Sequence, residues 1–540
     1  MAFIFAFALA STLEAQSAPP AVLFVDVDAG PVAGGPGGLG VPIAIYGTGF
    51  GAVRGASTVT VGGVEVASYL SWGSGNAHNP TLDRLVVQPG PGTPSGPIVV
   101  TVGGLASNAD VTFSAIDAHV WYVSATGSDT NDCRESSPCA TISHAVSSTV
   151  SGPGDTILVR GADHPEGEIW VRREYGHGGE PGRQKVVKPY PGDEVTLSNG
   201  ARPFIVDADY VTVAGFRFAN GKGVGVPDAG DVNRRRGDRF IDNIVAGEVS
   251  WSFIDTHGDD HLLAGNVCEA TVSSVGTQGH CYYVSYGENT RIRYNVGSGA
   301  PGYGLHVFDQ RRATLDFPRV IRNVLIEGNI LKESKLRSGL ILAMADEGGL
   351  GNRIDHVVVR NNIIMTNSHL GIVVSGRVHD VEIHNNTIYE NGRQGIHVAG
   401  DATISDVDIR NNLIVQSENG NCRNDCQWYE TAHIETHAAA ARVTIDTNGF
   451  APASPTVLGG GDDHAVVGPE LFVDPLRFDF KLQTGSAGID RGVTLPLVER
   501  DYRGVRRPQG AAYDLGAFET PTPAVAPSAP QHVRVIVGPS

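Results

Sequence analysis

Two short segments of the sequence place a phenol and an imidazole at equivalent positions. They are GHCYYVSYG (279–287) and GYGLHVFDQ (302–310), in which glycines precede alternating apolar residues, as in a β-strand. When the segments are aligned on that pattern, Tyr283 and His306 occupy the same position. If the segments are neighbouring strands, the phenol lies beside the imidazole, and such a pair can transfer protons to and from a ligand.

The same alignment extends to later segments and predicts two columns of side chains. Because successive side chains of a strand face opposite sides, Leu305 and Val307 are predicted to point inward and His306 outward to solvent. The outward column is predicted to contain Tyr283, His306, Ile341, Val373 and His397. The neighbouring column, where each strand begins, is predicted to contain His280, Tyr303, Ser338, His369 and Gln394.

Longer loops follow the same strand in two successive repeats and would rise beside these columns. They are DQRRATLDFPRV after His306 and MADEGGLGNRID after Leu342. The predicted catalytic residues are His306, Tyr283, Arg311 and Arg312. The predicted substrate-binding residues are His280, Tyr303, His257, Asp309, Asp346 and Glu347. Three other residues are interpreted as bystanders, namely His384, Tyr389 and His397.

These strands must be positioned by a repeating unit, and a recurring asparagine marks each repeat in the sequence. The pattern apolar-x-apolar-x-x-Asn-apolar recurs with its Asn at 266, 295, 329, 362, 386 and 412, at intervals of 24 to 34 residues. A coil of about 24 residues with insertions accounts for these intervals, and each coil would supply three short strands. In such a stack each Asn lies above another and exchanges hydrogen bonds with it, in a turn that tolerates left-handed backbone. We therefore predict that the Asn column is scaffolding.

The region before the repeat predicts a small β-sandwich. Residues 20–115 contain short β-forming runs separated by glycine turns, among them IAIYGTGFG (43–51) and VTVGGVEV (59–66). The run SGPIVVTVGGLAS, followed by a closing Phe113, resembles the IPT/TIG immunoglobulin-like domain. That resemblance implies a spacer or a module that binds carbohydrate or protein.

The N-terminus and the cysteines both indicate export. The apolar run MAFIFAFALA and the small residues after it predict a signal peptide over residues 1–18, hence a secreted or cell-surface protein. No later run is long enough to span a membrane. In an exported protein, the cysteines are predicted to form disulfides within CRESSPC and CRNDC and between the remaining two. The pairs are Cys133–Cys139, Cys422–Cys426 and Cys268–Cys281.

The repeat region and its flanks resemble a known superfamily. The phrases HVWYVSATGSDTNDC and GDTILVRG, the Asn coils and the closing GPELFVDPLRFDFKLQTGSAGIDRGV are similar to those of the pectate-lyase-like right-handed parallel β-helix proteins. The resemblance covers about residues 118–520 and implies an all-β architecture, with a β-helix over 118–460 and a C-terminal capping segment over 465–520. Residues 521–540 are interpreted as a Pro/Ala-rich linker and tail.

The charge of the chain limits its partners. A formal net charge of −18 argues against nucleic acid, because phosphate binding requires a basic face. An acidic polysaccharide, the partner that the resemblance implies, would need a local basic patch or a bound cation. The run NRRRGDR (233–239) is basic and is predicted to be an exposed loop at the upstream end of the groove. A monomer is expected.

The leading functional hypothesis is a lyase that cleaves a uronate-containing polysaccharide by β-elimination. Elimination needs a neutralised carboxylate, a base for the C5 proton and an acid for the leaving oxygen. Arg311 and Arg312 would neutralise the carboxylate, His306 would act as the base, and Tyr283 would relay or donate the proton. Lys335 is an outside candidate for the base. No Asp cluster resembles the metal-binding coil of calcium-dependent relatives, so no metal ligand is assigned and calcium stays open as a cofactor.

Two alternatives come from different classes of protein. A β-helix glycoside hydrolase would use a carboxylate pair from Asp309, Asp346 and Glu347, with Asp255 or Asp259 as further candidates. A non-catalytic surface protein would use the same groove to bind glycans or neighbouring proteins.

Overall fold

The computed structural model describes residues 18–74, 79–198, 202–219, 223–227, 234–248, 251–271, 276–309, 318–345, 349–400, 403–415, 432–451, 456–470 and 472–521. The predicted signal peptide, apart from its last residue, and the tail beyond residue 521 lie outside these ranges.

Two sheets form the N-terminal β-sandwich, as predicted. Ile45, Leu85 and Val100 are fully buried between them, because alternate residues of each strand face the other sheet. The first sheet contains, in spatial order, Ala21–Val25, Ile43–Thr48, Asp83–Gln88 and Ser68–Ser74. The second contains Ala29–Gly30, Thr112–Ala115, Gly96–Val102, Thr58–Val61 and Val64–Glu65, with Leu105–Ala106 paired to Gly96–Val102.

A solenoid of parallel strands follows, and each coil adds one strand to each of three long sheets. Sheet 1 contains Val120–Ser124, Thr156–Arg160, Lys185–Pro189, Val211–Ala214, Arg239–Ile241, Leu262–Ala264, Gly287–Glu288, Arg291–Arg293, Val320–Glu327, Arg353–Arg360, Val378–His384, Ser405–Arg410 and Ala441–Asp446. Sheet 2 contains Asp163–His164, Thr196–Leu197, Arg217–Phe218, Ile244–Glu248, Val267–Thr271, Val296–Ser298, Ile330–Lys332, Ile363–Met365, Thr387–Tyr389, Leu413–Val415, Gly449–Ala451 and Val466–Val467. Sheet 3 contains Ile169–Arg172, Phe204–Asp207, Val224–Gly225, Ser252–Thr256, His280–Val284, Leu305–Asp309, Leu340–Met344, Ile372–Gly376, Ile396–Val398, Ile434–Thr436 and Val457–Leu458.

The remaining elements are short. A two-stranded ribbon joins Arg235–Arg236 to Gly258–Asp259, and a hairpin joins Phe472–Asp474 to Asp479–Leu482. One α-helical turn and four 3₁₀ turns occur in the described ranges, at Ile142–Ala145, Pro36–Gly38, Arg173–Tyr175, Gly276–Gln278 and Pro475–Arg477. None of the helices described has the length and apolar character required to cross a membrane.

Apolar columns fill the interior of the solenoid. In sheet 1, Ile292, Ile326, Val359, Ile383 and Ile409 lie in register on successive coils, and each is essentially fully buried. Burying an aliphatic side chain of this size stabilises the fold by about 2 kcal/mol. Because each coil presents the same column to the next, the stack rather than any single coil provides the core.

The predicted Asn column is confirmed as a ladder of buried hydrogen bonds. The amide nitrogen of each ladder Asn donates to the side-chain oxygen of the next at 2.9–3.0 Å, from Asn266 to Asn412. The ladder extends to Asn243 at its start and Asn448 at its end, where Asp462 accepts the last amide hydrogen bond. The left-handed position is the residue before each ladder Asn: Asp242, Gly265, Tyr294, Gly328, Asn361, Asn385, Asn411 and Thr447.

Two of the predicted disulfides are present. Cys133–Cys139 closes the loop over the first coil, beside the helical turn that Thr141 caps. Cys268–Cys281 links sheet 2 to sheet 3 inside the solenoid. The predicted pair Cys422–Cys426 lies outside the described residues.

The sandwich is fixed against the flank of the solenoid. The Phe24 ring lies 4.7 Å from that of Tyr46 and 6.0 Å from that of Tyr294, measured between centroids. The Tyr46 hydroxyl donates to Asp242 at 2.7 Å, and the buried Lys188 ammonium pairs with Asp26. Aromatic, apolar and charged contacts therefore join this domain to the solenoid.

The C-terminal segment, predicted to cap the last coil, adds Val466–Val467 beside Gly449–Ala451 at the end of sheet 2, and its later residues contact the side of the stack. Asn385 donates to the backbone oxygens of Asp514 and Gly516, and Asn361 donates to that of Arg500. Farther along, Thr81 of the sandwich lies 2.7 Å from the hydroxyl of Tyr502. The segment therefore ties several coils to the sandwich.

The run 233–239 is only in part the exposed basic loop that was predicted, because Arg236 is exposed whereas Arg235 is buried. Arg234 and Arg236 pair with Asp259, Arg235 pairs with Asp207 and is buried, and Arg239 pairs with Asp28 at 2.6 Å. Three carboxylates thus offset much of the charge of these four guanidinium groups, and Arg236 keeps an exposed side chain.

Candidate functional site

The outward column predicted from the alternation is confirmed by the strand register of sheet 3. Tyr283 pairs with His306, His306 with Ile341, Ile341 with Val373, and Val373 with His397. The column also begins earlier than predicted, because Gly225 pairs with Asp255 and Asp255 with Tyr283. Asp255, Tyr283 and His306 therefore lie on three successive coils of one exterior ledge.

A cleft of about 620 Å³ opens over this part of the ledge. Its floor comes from three successive strands of sheet 3, Ser252–Thr256, His280–Val284 and Leu305–Asp309. Trp251, which is 60% exposed, stands at the cleft, where an aromatic ring can stack on a sugar. The lining residues are Arg202, Trp251, Ser252, Asp255, His257, Gln278, His280, Tyr283, Ser285, His306, Phe308 and Asp309.

His306 lies in the outward column but does not face open solvent, which corrects the prediction. Its side chain is only 9% exposed, because aromatic rings surround it. The ring centroids of Tyr303 and Phe308 lie 4.8 Å away, and that of Tyr283 lies 5.1 Å away. The imidazole is thus held in one orientation at the edge of the cleft.

A hydrogen-bond chain determines which nitrogen of His306 carries its proton. The backbone N–H of Tyr303 donates to Nδ1 of His280 at 3.1 Å, and Gly302 permits this approach because an added Cβ would lie 2.6 Å from that nitrogen. In a neutral imidazole one nitrogen donates and the other accepts. His280 must therefore donate through Nε2 to Nδ1 of His306, which lies 3.1 Å away. Neutral His306 in turn carries its proton on Nε2.

Both imidazoles are neutral at ordinary pH. Burial, helped by the positive charge of Arg337 and opposed by Asp255, lowers the pKa of His280 to about 4. Burial together with neighbouring His280 and Arg337 holds the pKa of His306 well below its usual range. Among the described residues, Nε2 of His306 has no hydrogen-bond partner in the protein. The pair therefore presents an N–H donor rather than a basic lone pair.

Asp255 is held as a carboxylate between two cationic or donor groups. Nε2 of His257 lies 3.0 Å from Oδ1 of Asp255, and two guanidinium nitrogens of Arg202 lie 3.4 Å from Oδ2. Burial would raise the pKa of Asp255, but His257 and Arg202 outweigh it and lower that pKa. Arg202 reaches this position over Gly225, where an added Cβ would lie 2.0 Å from its Nη1 atom.

Asp309, predicted to bind substrate, lines the cleft but is buried in an ion pair. Its carboxylate is buried, and its Oδ2 atom lies 3.2 Å from Nε of Arg319, whose guanidinium stacks on Tyr286. Asp259, a further carboxylate of the hydrolase hypothesis, is paired with arginines on the neighbouring ribbon. Lys335 is not among the residues that line the cleft.

The structure brings together about half of the predicted site. Six predicted residues meet at the cleft or its edge, namely His257, His280, Tyr283, Tyr303, His306 and Asp309. Four lie outside the described residues, namely Arg311, Arg312, Asp346 and Glu347. The sequence analysis missed Arg202, Trp251 and Phe308. Alternation from His306 could have found Phe308, whereas no local pattern points to Arg202.

Two family models match the chain, in agreement with these two architectures. The IPT/TIG domain matches residues 28–115, and the right handed beta helix region matches residues 269–432. A search with the chain among curated proteins finds no match.

Several solved structures are similar to the chain at low identity. Pectate lyase Pel9A and XylC in complex with xylose are each 14% identical, with TM-scores of 0.44, over 74% of this chain and 96% and 98% of theirs. The A-module of mannuronan C-5 epimerase AlgE4 from Azotobacter vinelandii is 14% identical over 65% of this chain and 90% of its own, with a TM-score of 0.32. The activity of this chain is therefore inferred from its own cleft. The chain is a right-handed parallel β-helix protein with an N-terminal IPT/TIG domain.

Proposed function

We propose that the protein is a polysaccharide lyase that cleaves a uronate-containing chain by β-elimination in this cleft. The observation that carries the proposal is the contact between Tyr283 and His306 on adjacent coils, with ring centroids 5.1 Å apart, in a cleft that Arg202 also lines. A phenol, a fixed N–H donor and a guanidinium can together supply the proton transfer and the charge stabilisation that elimination from a uronate requires.

Tyr283 is assigned the proton transfer. As a phenolate it takes the C5 proton, the electron pair forms the C4–C5 double bond, and the C4–O bond to the leaving sugar breaks. The resulting phenol returns the proton to the leaving oxygen, so the phenolate is regenerated and no other reactant is needed. Tyr283 suits this role because it lines the cleft and lies beside His306 of the next coil.

His306 is assigned as a hydrogen-bond donor and no longer as the base. Its Nε2–H can bind the C6 carboxylate and stabilise the enolate-like charge that develops there as the C5 proton leaves. A neutral imidazole can polarise an oxygen in this way without giving up its own proton. Arg202 supplies positive charge to the same carboxylate. The neutralisation of that carboxylate by Arg311 and Arg312 stays a prediction.

The glycoside hydrolase alternative has less support among the described residues. Hydrolysis needs one carboxyl group that holds a proton and one that does not. The carboxylates that line the cleft, Asp255 and Asp309, both face guanidinium groups, and Asp255 has a lowered pKa. Neither is suited to donate a proton to a leaving oxygen.

The activity test is a screen of uronate polymers, namely pectate, alginate, glucuronan, chondroitin and ulvan. A lyase leaves an unsaturated uronate that absorbs in the near ultraviolet, and we expect that absorbance with at least one polymer. Reducing ends that form without the absorbance would establish a hydrolase instead. A glycan that is retained without any product would establish a binding protein.

The residue assignment is tested on the active polymer. Tyr283→Phe removes the proton carrier, and we expect kcat to fall about 1000-fold. His306→Ala removes the Nε2–H donor, and we expect a loss of about 100-fold. Tyr389→Phe is the matched control, because Tyr389 lies on sheet 2 against Phe472 and Phe480. Full turnover in both cleft variants would refute the assignment.

We also infer that the protein works outside the cytoplasm. Cys133–Cys139 and Cys268–Cys281 are both joined as disulfides, and such bonds persist in oxidising compartments. Fractionation of the producing cell would test this inference, since recovery of the protein in the cytoplasm with free thiols would contradict it.

A further inference from the structure

A second group of side chains lies farther along the same ledge. His397 continues the outward column, and the next residue in register is Glu435, on the strand Ile434–Thr436. Nδ1 of His397 lies 2.9 Å from one carboxylate oxygen of Glu435. Nε2 of His437, just after that strand, lies 3.5 Å from the other oxygen. Two imidazoles therefore flank one carboxylate.

These three side chains have the composition and spacing of a metal site. One ligand atom from each of His397, Glu435 and His437 lies within 4.8 Å of the other two. Two nitrogens and one oxygen suit zinc and similar divalent transition metals, which accept imidazole and carboxylate in tetrahedral geometry. The other such group in the described residues contains Cys133 and Cys139, which are joined as a disulfide.

Neighbouring residues hold the carboxylate and leave room for the exposed imidazole. The amide nitrogen of Gln394 donates to Glu435 at 2.7 Å, which is the kind of outer contact that orients a metal-binding carboxylate. Gly400 faces His437, and a Cβ there would lie 3.1 Å from that of the histidine. The imidazole of His437 is 45% exposed, so solvent reaches the group from one side.

We propose that His397, Glu435 and His437 bind a zinc-class divalent cation through two nitrogens and one carboxylate. Three protein ligands leave a fourth position of the tetrahedron for water or a ligand oxygen. The site lies three coils beyond His306, about 14 Å along the ledge at about 4.8 Å per coil. It is separate from the proton-transfer cleft and does not depend on the activity proposed there.

The test is titration of the full chain with Zn²⁺, and with Co²⁺ as a spectroscopic probe. We expect one Zn²⁺ per chain by calorimetry, and visible Co²⁺ absorption bands typical of tetrahedral coordination. Ca²⁺ and Mg²⁺ should bind at least 100-fold more weakly, because they prefer six or more oxygen ligands. Binding of Ca²⁺ as tightly as Zn²⁺ would overturn the proposal.

Single-residue variants test whether these side chains are the metal ligands. His437→Ala and Glu435→Gln should each weaken Zn²⁺ binding at least tenfold and abolish the tetrahedral Co²⁺ bands. His437 is exposed, so its loss leaves the fold intact. His464→Ala is the matched control, because His464 also contacts a carboxylate, at 2.6 Å from Asp446, on the same solenoid. Equal Zn²⁺ affinity in all three variants would refute the site.

Discussion

Nδ1 of His306 lies 3.1 Å from Nε2 of His280, so imidazoles from two adjacent coils form one hydrogen-bonded pair. The backbone N–H of Tyr303 donates a hydrogen bond to Nδ1, the other ring nitrogen of His280. This arrangement determines the proton positions along the pair without any charged partner, and it makes His306 a donor toward the cleft.

The first prediction concerns acid stability. The pKa of His280 is lowered to about 4, whereas an exposed histidine titrates near 6.5. The unfolded chain therefore binds this proton at a higher pH than the folded chain. The stability that neutral His280 contributes is fully present above about pH 6.5 and is lost as the pH falls toward 4, by about 3 kcal/mol.

Chemical unfolding at several pH values between 4 and 7 checks this prediction. His280→Gln should flatten the dependence of the free energy of unfolding on pH. Parallel curves for the wild type and His280→Gln would contradict the prediction.

The second prediction concerns the space that Gly225 leaves for Arg202. In Gly225→Ala the new methyl would lie 2.0 Å from Nη1 of Arg202, so the guanidinium must leave Asp255. We expect KM for an acidic polysaccharide to rise about tenfold, since an interaction of this size is worth about 1.4 kcal/mol. Steady-state kinetics at low ionic strength provide the measurement.

A double-mutant cycle separates this effect from general damage to the fold. In the background of Arg202→Ala, the change Gly225→Ala should have no further effect on KM, because the displaced group is already gone. Gly167→Ala is the matched control, since nothing lies within 4 Å of a Cβ there. Additive effects of the two cleft changes would show that Gly225 does not act through Arg202.

The third prediction concerns the Asn ladder. Asn362→Ala removes the acceptor of two buried donors of Asn329 and the donor to Asn386. Because buried groups left without partners are costly, we expect the free energy of unfolding to fall by about 2–4 kcal/mol. Urea unfolding measures the change, and Thr444→Ala on an exposed position of sheet 1 is the control. Equal midpoints for the two variants would refute the structural role of the ladder.

The fourth prediction concerns the junction between the sandwich and the solenoid. Lys188→Met leaves the Asp26 carboxylate buried without its ammonium partner, which should cost about 3–5 kcal/mol. The double variant Lys188→Met with Asp26→Asn should recover much of that loss, because no unpaired charge remains. Differential scanning calorimetry measures the stability of both variants. A single variant as stable as the wild type would mean that the contact does not hold the domains together.

The sequence alone was sufficient for the architecture and for the main register. The Asn pattern predicted the coils, and alternation around Leu305 and Val307 predicted that Tyr283 and His306 share one column. Both succeed because a parallel solenoid repeats the same local environment on every coil. In such a fold, the spacing of residues along the sequence predicts which residues are neighbours on adjacent coils.

Contacts between distant residues were decided by the tertiary structure. Glu435 lies 38 residues after His397, beyond the last strand of the sequence alignment, so His397 was taken for a bystander. Arg202 lies 53 residues before Asp255, and the arginines of the run 233–239 find carboxylates on other strands. Pairing of this kind depends on which side chains the folded chain brings within reach, and no local pattern encodes it.

The proton positions of His280 and His306 were also decided by the tertiary structure. The two residues and their outward direction can be predicted from alternation, but the donor and acceptor roles follow from one backbone N–H, that of Tyr303. Burial by Tyr303 and Phe308 then keeps both rings neutral. Alternation along a strand dictates where a side chain points, while its protonation depends on the atoms that the completed fold places around it.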